Sequence, residues 1–156
     1  MNSPHYNDID PTWHLPDPSA QPEFYADVAT KRLLAWVIDT VLTGALVLLI
    51  LPFTAFTGIF FLPLLFLMVN FAYRVITLAN GSATLGMRLM AIEFRTNSGA
   101  RFSLSDAVLH TLGFAFSMSM MPLQIVSIVL MLTTARGQGL TDHAMGTVAI
   151  NRRAGR

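Results

Sequence analysis

The chain contains no cysteine, which removes disulfides, thiolate chemistry and Cys-ligated metal together and leaves the redox compartment unassigned. Charge is scarce as well. Only 12% of the 156 residues are Asp, Glu, Lys or Arg against 53% hydrophobic, and the mean hydropathy is positive. A soluble domain of this length needs more charge to coat its surface, so the composition puts the chain in a lipid bilayer. A net charge of +1, with the cations scattered rather than striped, gives no ground for a nucleic-acid partner. Also missing are an activated nucleophile, a clustered acid/base pair in a polar segment and an H-E-x-x-H helix. No enzyme activity, cofactor or metal is therefore expected.

What is present divides by composition. Residues 1–30 hold Pro4, Pro11, Pro16, Pro18 and Pro22 with Asp8, Asp10, Asp17, Glu23 and Asp27, which predicts a disordered acidic tail. The acidic start and the late onset of the apolar run, at Leu33, argue against a cleaved signal peptide. Phe24 and Tyr25, just before Lys31 and Arg32, suit an interfacial stretch. Residues 31–151 read as the membrane domain and residues 152–156 as a basic tail. Residues 33–51 and 59–79 are each long enough to span a bilayer. Their connection, 52–58, is free of charge, while Lys31 and Arg32 precede the first span and Arg88, Arg95 and Arg101 follow the second. The positive-inside rule then puts both outer ends in the cytoplasm.

Residues 80–106 are the main polar insert. Ala91-Ile-Glu-Phe-Arg-Thr96 alternates with period two, Asn97-Ser98-Gly99 is turn chemistry and Arg101-Phe-Ser-Leu104 alternates again, which predicts a β-hairpin with Ile92, Phe94, Phe102 and Leu104 on its buried face. Ser103 or Ser105 can cap the helix that follows, with Asp106 in its first turn. Residues 107–134 carry no Lys, Arg, Asp or Glu, and Pro122 interrupts them. One long span would carry Arg136, Arg152, Arg153 and Arg156 to the far side. Two short helices broken near residue 122 would return them, and this arrangement is preferred. Thr147-Val-Ala-Ile150 can add a strand beside the hairpin. The expected fold class is an all-α membrane protein: two full spans, a Pro-broken pair of short membrane helices and a small cytoplasmic β-hairpin. Such a chain scarcely encloses a path alone, so a homo-oligomer or a membrane-protein partner is expected.

Asp39 is the residue to explain. A carboxylate in hydrocarbon costs roughly 2.5–3.5 kcal/mol and persists only with a partner or a task. Arg32 lies seven residues earlier on the same helical face, about 10 Å away along the axis. Two readings stay open. In one, Asp39 pairs with Arg74, which shares a face of the second span with Asn70. In the other, Asp39, Thr43 and Asn70 offer hard oxygen ligands to a small cation for which protons compete. Weaker candidates are Met118, Met120 and Met121 as soft copper ligands, Asp106 with His110 as a proton relay or an interfacial contact with a solvated ring, and His5 and His14 in the tail. Each has a plain alternative as packing or solvated surface. Thr84-Leu-Gly-Met-Arg88 is too short for a phosphate loop and reads as a tight turn whose Gly86 admits close backbone approach.

Three ordered blocks carry a resemblance. Lys31-Arg-Leu-Leu-Ala-Trp-Val-Ile-Asp39, Gly81-Ser-Ala-Thr-Leu-Gly-Met-Arg-Leu-Met90 and Gly139-Leu-Thr-Asp-His-Ala-Met-Gly-Thr147 resemble the signature blocks of the RDD family of bacterial membrane proteins. The family is named for one arginine and two aspartates, which correspond here to Arg32, Asp39 and Asp142. The resemblance runs from about residue 24 to 151 and departs at His143 and Ala91, where Arg and Gly are expected. It implies a multi-pass protein of the bacterial inner membrane with a loose association with transport, including cation/proton exchange. The competing class is a non-transporting assembly or accessory module in which Arg32, Asp39 and Asp142 are structural. Arg32 and Asp142 are expected to meet at the cytoplasmic surface, with Asp142 alternatively capping a short helix.

Overall fold

A computed structural model describes residues 15–152. Helix α1, Val28–Ile50, has 23 residues, about 35 Å at the helical rise, and α2, Leu62–Gly81, has 20. Both are long and apolar enough to cross a membrane. Short 3₁₀ turns over Leu51–Thr54 and Thr57–Phe61 join them, and Pro63 enters α2 in its first turn, where a missing N–H costs nothing. Both helices leave large apolar side chains exposed, among them Val41, Leu48, Leu49, Leu67 and Met68, a surface suited to hydrocarbon.

After α2 come α3, Leu85–Leu89, and β1, Ile92–Arg95, then α4, Leu104–Ser119, and α5, Met121–Thr133. The break between α4 and α5 bends the pair by 116°. It falls at Met120, in an extended conformation, with Pro122 in the first turn of α5, two residues beyond the break. Helix α6, Leu140–Met145, and strand β2, Val148–Asn151, end the described chain.

The sheet differs from the expected hairpin. Strand β1 pairs antiparallel with β2, with Ile92 opposite Asn151 and Arg95 opposite Val148. Residues 96–100 do turn, with Gly99 at φ 76° and Thr96 N–H donating to Ala100 O at 2.9 Å. The chain then leaves the sheet, because Phe102 N–H donates to Ser82 Oγ at 2.7 Å and Ser103 is already the N-cap of α4. Ile92, Phe94 and Phe102 are buried as expected, with the Phe94 and Phe102 rings stacked at 5.3 Å, but Leu104 is exposed on α4.

The principal core gathers Val28, Ala35, Leu78, Met87, Ile92 and Phe94 where the start of α1, the end of α2, α3 and the sheet meet. A smaller cluster joins Leu15 to Val148 and Ile150, with Phe24 and Tyr25 against it. The expectation of an unpacked tail over residues 1–30 therefore fails for residues 15–30, and the two rings pack on protein. Asn151 fixes this corner: its Nδ2 donates to Glu23 O and Ala26 O at 2.8 and 2.9 Å, and its Oδ1 accepts from Lys31 Nζ at 2.7 Å. His5, His14, Arg153 and Arg156 lie outside the described residues.

Candidate functional site

Asp39 is buried in the middle of α1 and holds three elements together. Its Oδ1 accepts from the Tyr73 hydroxyl of α2 at 2.6 Å and from Gly86 N–H of α3 at 2.8 Å, and its Oδ2 accepts from Thr84 Oγ1 at 2.6 Å. Bonds from donors to a carboxylate are roughly twice as strong as neutral ones. Thr84 is the N-cap of α3 and accepts from Met87 N–H at 3.2 Å, while Tyr73 Oη accepts from Leu85 N–H at 3.1 Å. The 84–88 block is thus a short helix pressed on α1. A Cβ on Gly86 would stand 2.3 Å from Ala35 O and 2.8 Å from Asp39 Oδ1. Gly86→Ala should therefore destabilise the protein by about 1–3 kcal/mol, the usual range for overpacking, measured by denaturant titration in detergent. Arg88 turns to the end of α2, donating from Nε to Ala83 O at 3.2 Å and from Nη2 to Thr77 O at 3.4 Å.

Arg74 is not the hydrogen-bond partner of Asp39. Its guanidinium carbon lies 4.0 Å from the centroid of the Phe114 ring, and its buried Nε has no hydrogen-bond partner. Nor do Thr43 and Asn70 join the carboxylate. Thr43 Oγ1 donates to the backbone carbonyl of Asp39 at 2.8 Å, and Asn70 Nδ2 donates to Thr43 Oγ1 at 3.3 Å. The amide thus presents nitrogen to Thr43, and the four residues do not assemble into an oxygen cage around Asp39. Among the described residues no three His, Asp or Glu side chains converge on a point that could hold a metal. Met120 and Met121 are exposed at the α4–α5 break.

Asp142 is fully buried and forms the second centre. Arg32 Nη1 donates to Oδ2 at 2.5 Å and to Gly137 O at 3.2 Å, and its guanidinium lies 5.2 Å from the Phe94 centroid. His110 Nε2 is 2.8 Å from Oδ1, Gly139 N–H donates to Oδ2 at 2.9 Å, and Thr147 Oγ1 donates to Oδ1 at 3.2 Å. The expected ion pair with Arg32 forms, but Asp142 does not cap a helix over 143–146: α6 begins at Leu140 with Gly139 as its N-cap, and Asp142, its third residue, reaches back to Gly139 N–H. Burial opposes charging the carboxyl, but the Arg32 guanidinium, the His110 contact and Gly139 N–H together hold it well below the usual carboxylate range. Asp106 is no relay partner for His110. It is spent in a capping box, accepting from Ser103 N–H at 2.9 Å, while the His110 ring is buried rather than solvated.

The two centres border one cavity of about 440 Å³, whose wall includes Arg32, Trp36, Asp39, Arg74, His110 and Asp142. Sequence reading missed Tyr73 and the inward turn of His110. The spacing of Tyr73 from Gly86 gives no signal, whereas His110 sits seven residues after Ser103, so a cap at Ser103 would have fixed which face it occupies.

Comparison of the chain with curated proteins and with solved structures yields no match. The family model described as the RDD family matches residues 26–146. That stretch includes Arg32 and Asp39 on α1, the 84–88 helix and Asp142 on α6, the residues that build both centres. With most of its length matched, the chain belongs to the RDD family.

Proposed function

We propose that this chain is a multi-pass module of the bacterial inner membrane, with both termini in the cytoplasm, in which Arg32, Asp39 and Asp142 are architectural. The single observation that carries this reading is that the buried carboxylates of Asp39 and Asp142 have their oxygens filled by donors of the protein itself. A carboxylate that shuttles cations must shed such donors and present an oxygen to the ion, at a cost of roughly 1–3 kcal/mol for each donor stranded. The charge-free 52–58 connection and the basic residues on the other side support the orientation. The exposed apolar helix surfaces support association with a further copy or another membrane protein, and no enzymatic role is proposed.

One observation favours a second reading, transport through the membrane domain, including the cation/proton exchange that the family resemblance implies: the 440 Å³ cavity reaches both Asp39 and Arg74. Purified protein in proteoliposomes separates the two. Under Na⁺, K⁺ or Li⁺ gradients, proton movement should stay at the level of protein-free vesicles. Cation-driven proton flux that vanishes in a folded Asp39→Asn variant would replace the architectural reading with exchange.

A further inference from the structure

Arg74 is a buried cation with no anion in contact: the Asp39 and Asp142 carboxylates act on it only from a distance. Its residue is 6% exposed, its Nε lacks a hydrogen-bond partner, and among the described residues it makes no ion pair within 4.0 Å, whereas Arg32, Arg95 and Arg152 each do. An isolated charge in a low-dielectric interior is costly unless something compensates it. Phe114 compensates in part through its ring face. Asp39 shares the cavity wall, but both its oxygens are turned to Tyr73, Thr84 and Gly86.

The cavity beside Arg74 has the shape and lining for an amphiphile. At about 440 Å³ it falls within the ~300–1,000 Å³ typical of small-molecule sites. It is bounded on one side by α1 and on the other by α5, which do not pack along one another. Leu33 and Trp36 of α1 and Ile128 and Leu132 of α5 line it and are also exposed, so they form its rim. The opening therefore lies between two apolar helix faces, where a bilayer would meet it. Ala29 and Thr30, in the first turn of α1, extend the lining toward the end of the bundle that carries the sheet.

From this juxtaposition of an unpaired buried arginine with a cavity opening sideways between apolar helices, we propose that the protein binds an anionic phospholipid, its phosphate against Arg74 and an acyl chain along Trp36, Ile128 and Leu132. The proposal goes beyond the architectural reading and rests only on embedding in a bilayer. The lipid enters laterally, its phosphate supplies the contacting anion that Arg74 lacks, and its chain covers the apolar wall. Arg32 stays with Asp142, so Arg74 makes the head-group contact.

Trp36 makes the site readable. The chain has two tryptophans, so a Trp13→Phe background leaves Trp36 as the sole reporter. The protein is placed in mixed phosphatidylglycerol and phosphatidylcholine vesicles in which one lipid or the other carries brominated acyl chains. Phosphatidylglycerol should be preferred at Trp36 by about fivefold, the effect of one arginine on one anionic lipid. Arg74→Gln should abolish the preference and Arg74→Lys should keep most of it. Ile128→Phe, at the exposed rim, should lower quenching of Trp36 by brominated phosphatidylglycerol by obstructing the acyl-chain wall without burdening the fold, so it decides the matter if Arg74→Gln does not fold. Equal quenching by both lipids in the parent protein, an unchanged preference in Arg74→Gln, or undiminished phosphatidylglycerol quenching in Ile128→Phe would overturn the proposal. Loss of the preference on adding inorganic phosphate would assign the site to the free anion and overturn it too. Flotation with the vesicles reports embedding separately, so a protein that floats but shows no preference refutes the lipid site alone.

Discussion

Asp39→Ala should lower unfolding stability by about 4 kcal/mol, because it strands three donors at once and each costs roughly 1–3 kcal/mol when buried without a partner. The Tyr73 hydroxyl, the Thr84 hydroxyl and Gly86 N–H all point at the missing carboxylate. Asp39→Asn keeps one oxygen for Tyr73 and Gly86 and should lose about half as much. Adding Arg74→Gln to Asp39→Ala tests the alternative partner. Since no hydrogen bond or ion pair joins the two side chains, the double variant should recover less than about 1 kcal/mol. Denaturant titration of detergent-solubilised protein measures all three variants, and recovery of most of the loss would establish a direct Asp39–Arg74 pair.

The second large effect is expected at Asp142. Asp142→Ala leaves the partly buried Arg32 without its anion and removes the buried acceptor for His110, Gly139 and Thr147, which should cost about 3–5 kcal/mol. A charge swap, Arg32→Asp with Asp142→Arg, should recover less than half of the loss. An arginine at 142 would face N–H and O–H groups that it cannot accept from, and an aspartate at 32 cannot lie over Phe94 as the guanidinium does. Near-complete recovery would show that only the charge pair matters. The carboxyl is held below its ordinary value of 3.8, so its contribution is fully present above that value and is lost as pH falls through the lower folded one. Melting temperature should therefore be insensitive to this group from about pH 5 to 8 and decline below about pH 4, less steeply in Asp142→Asn.

Much of the frame was legible because its causes are local. The runs at 33–51 and 59–79 correspond to α1 and α2, since a span of apolar residues has few other solutions, and Pro122 marked the α4–α5 break because proline is tolerated only in the first turn of a helix. The misreadings came from competition. Residues 101–104 alternate like a strand, yet Ser103 and Asp106 make a capping box, and a helix start overrides a four-residue alternation. For Asp39, burial was legible and the partner was not. Tyr73 and Arg74 are adjacent, about 100° apart around α2, so which one faces α1 depends on helix rotation, a property of packing that spacing along one helix does not contain. Arginine was the chemically stronger candidate, and the phenol took the place.

The Arg32–Asp142 contact joins residues 110 positions apart, and the neighbouring sheet joins β1 to a strand more than fifty residues later. In the order of synthesis, the two long apolar helices precede both the carboxylate that pairs with Arg32 and the strand that completes the sheet. Until α6 arrives, Arg32 has no anion and β1 has an open edge, so the nascent chain waits with its polar end unfinished. Closure of this corner is chemically distinct from burying the apolar helices: only the C-terminal segment carries the carboxylate that pairs with Arg32. A chain that stops short of residue 142 lacks both the partner of Arg32 and the strand that pairs with β1, leaving a charge and a sheet edge for which it holds no complement.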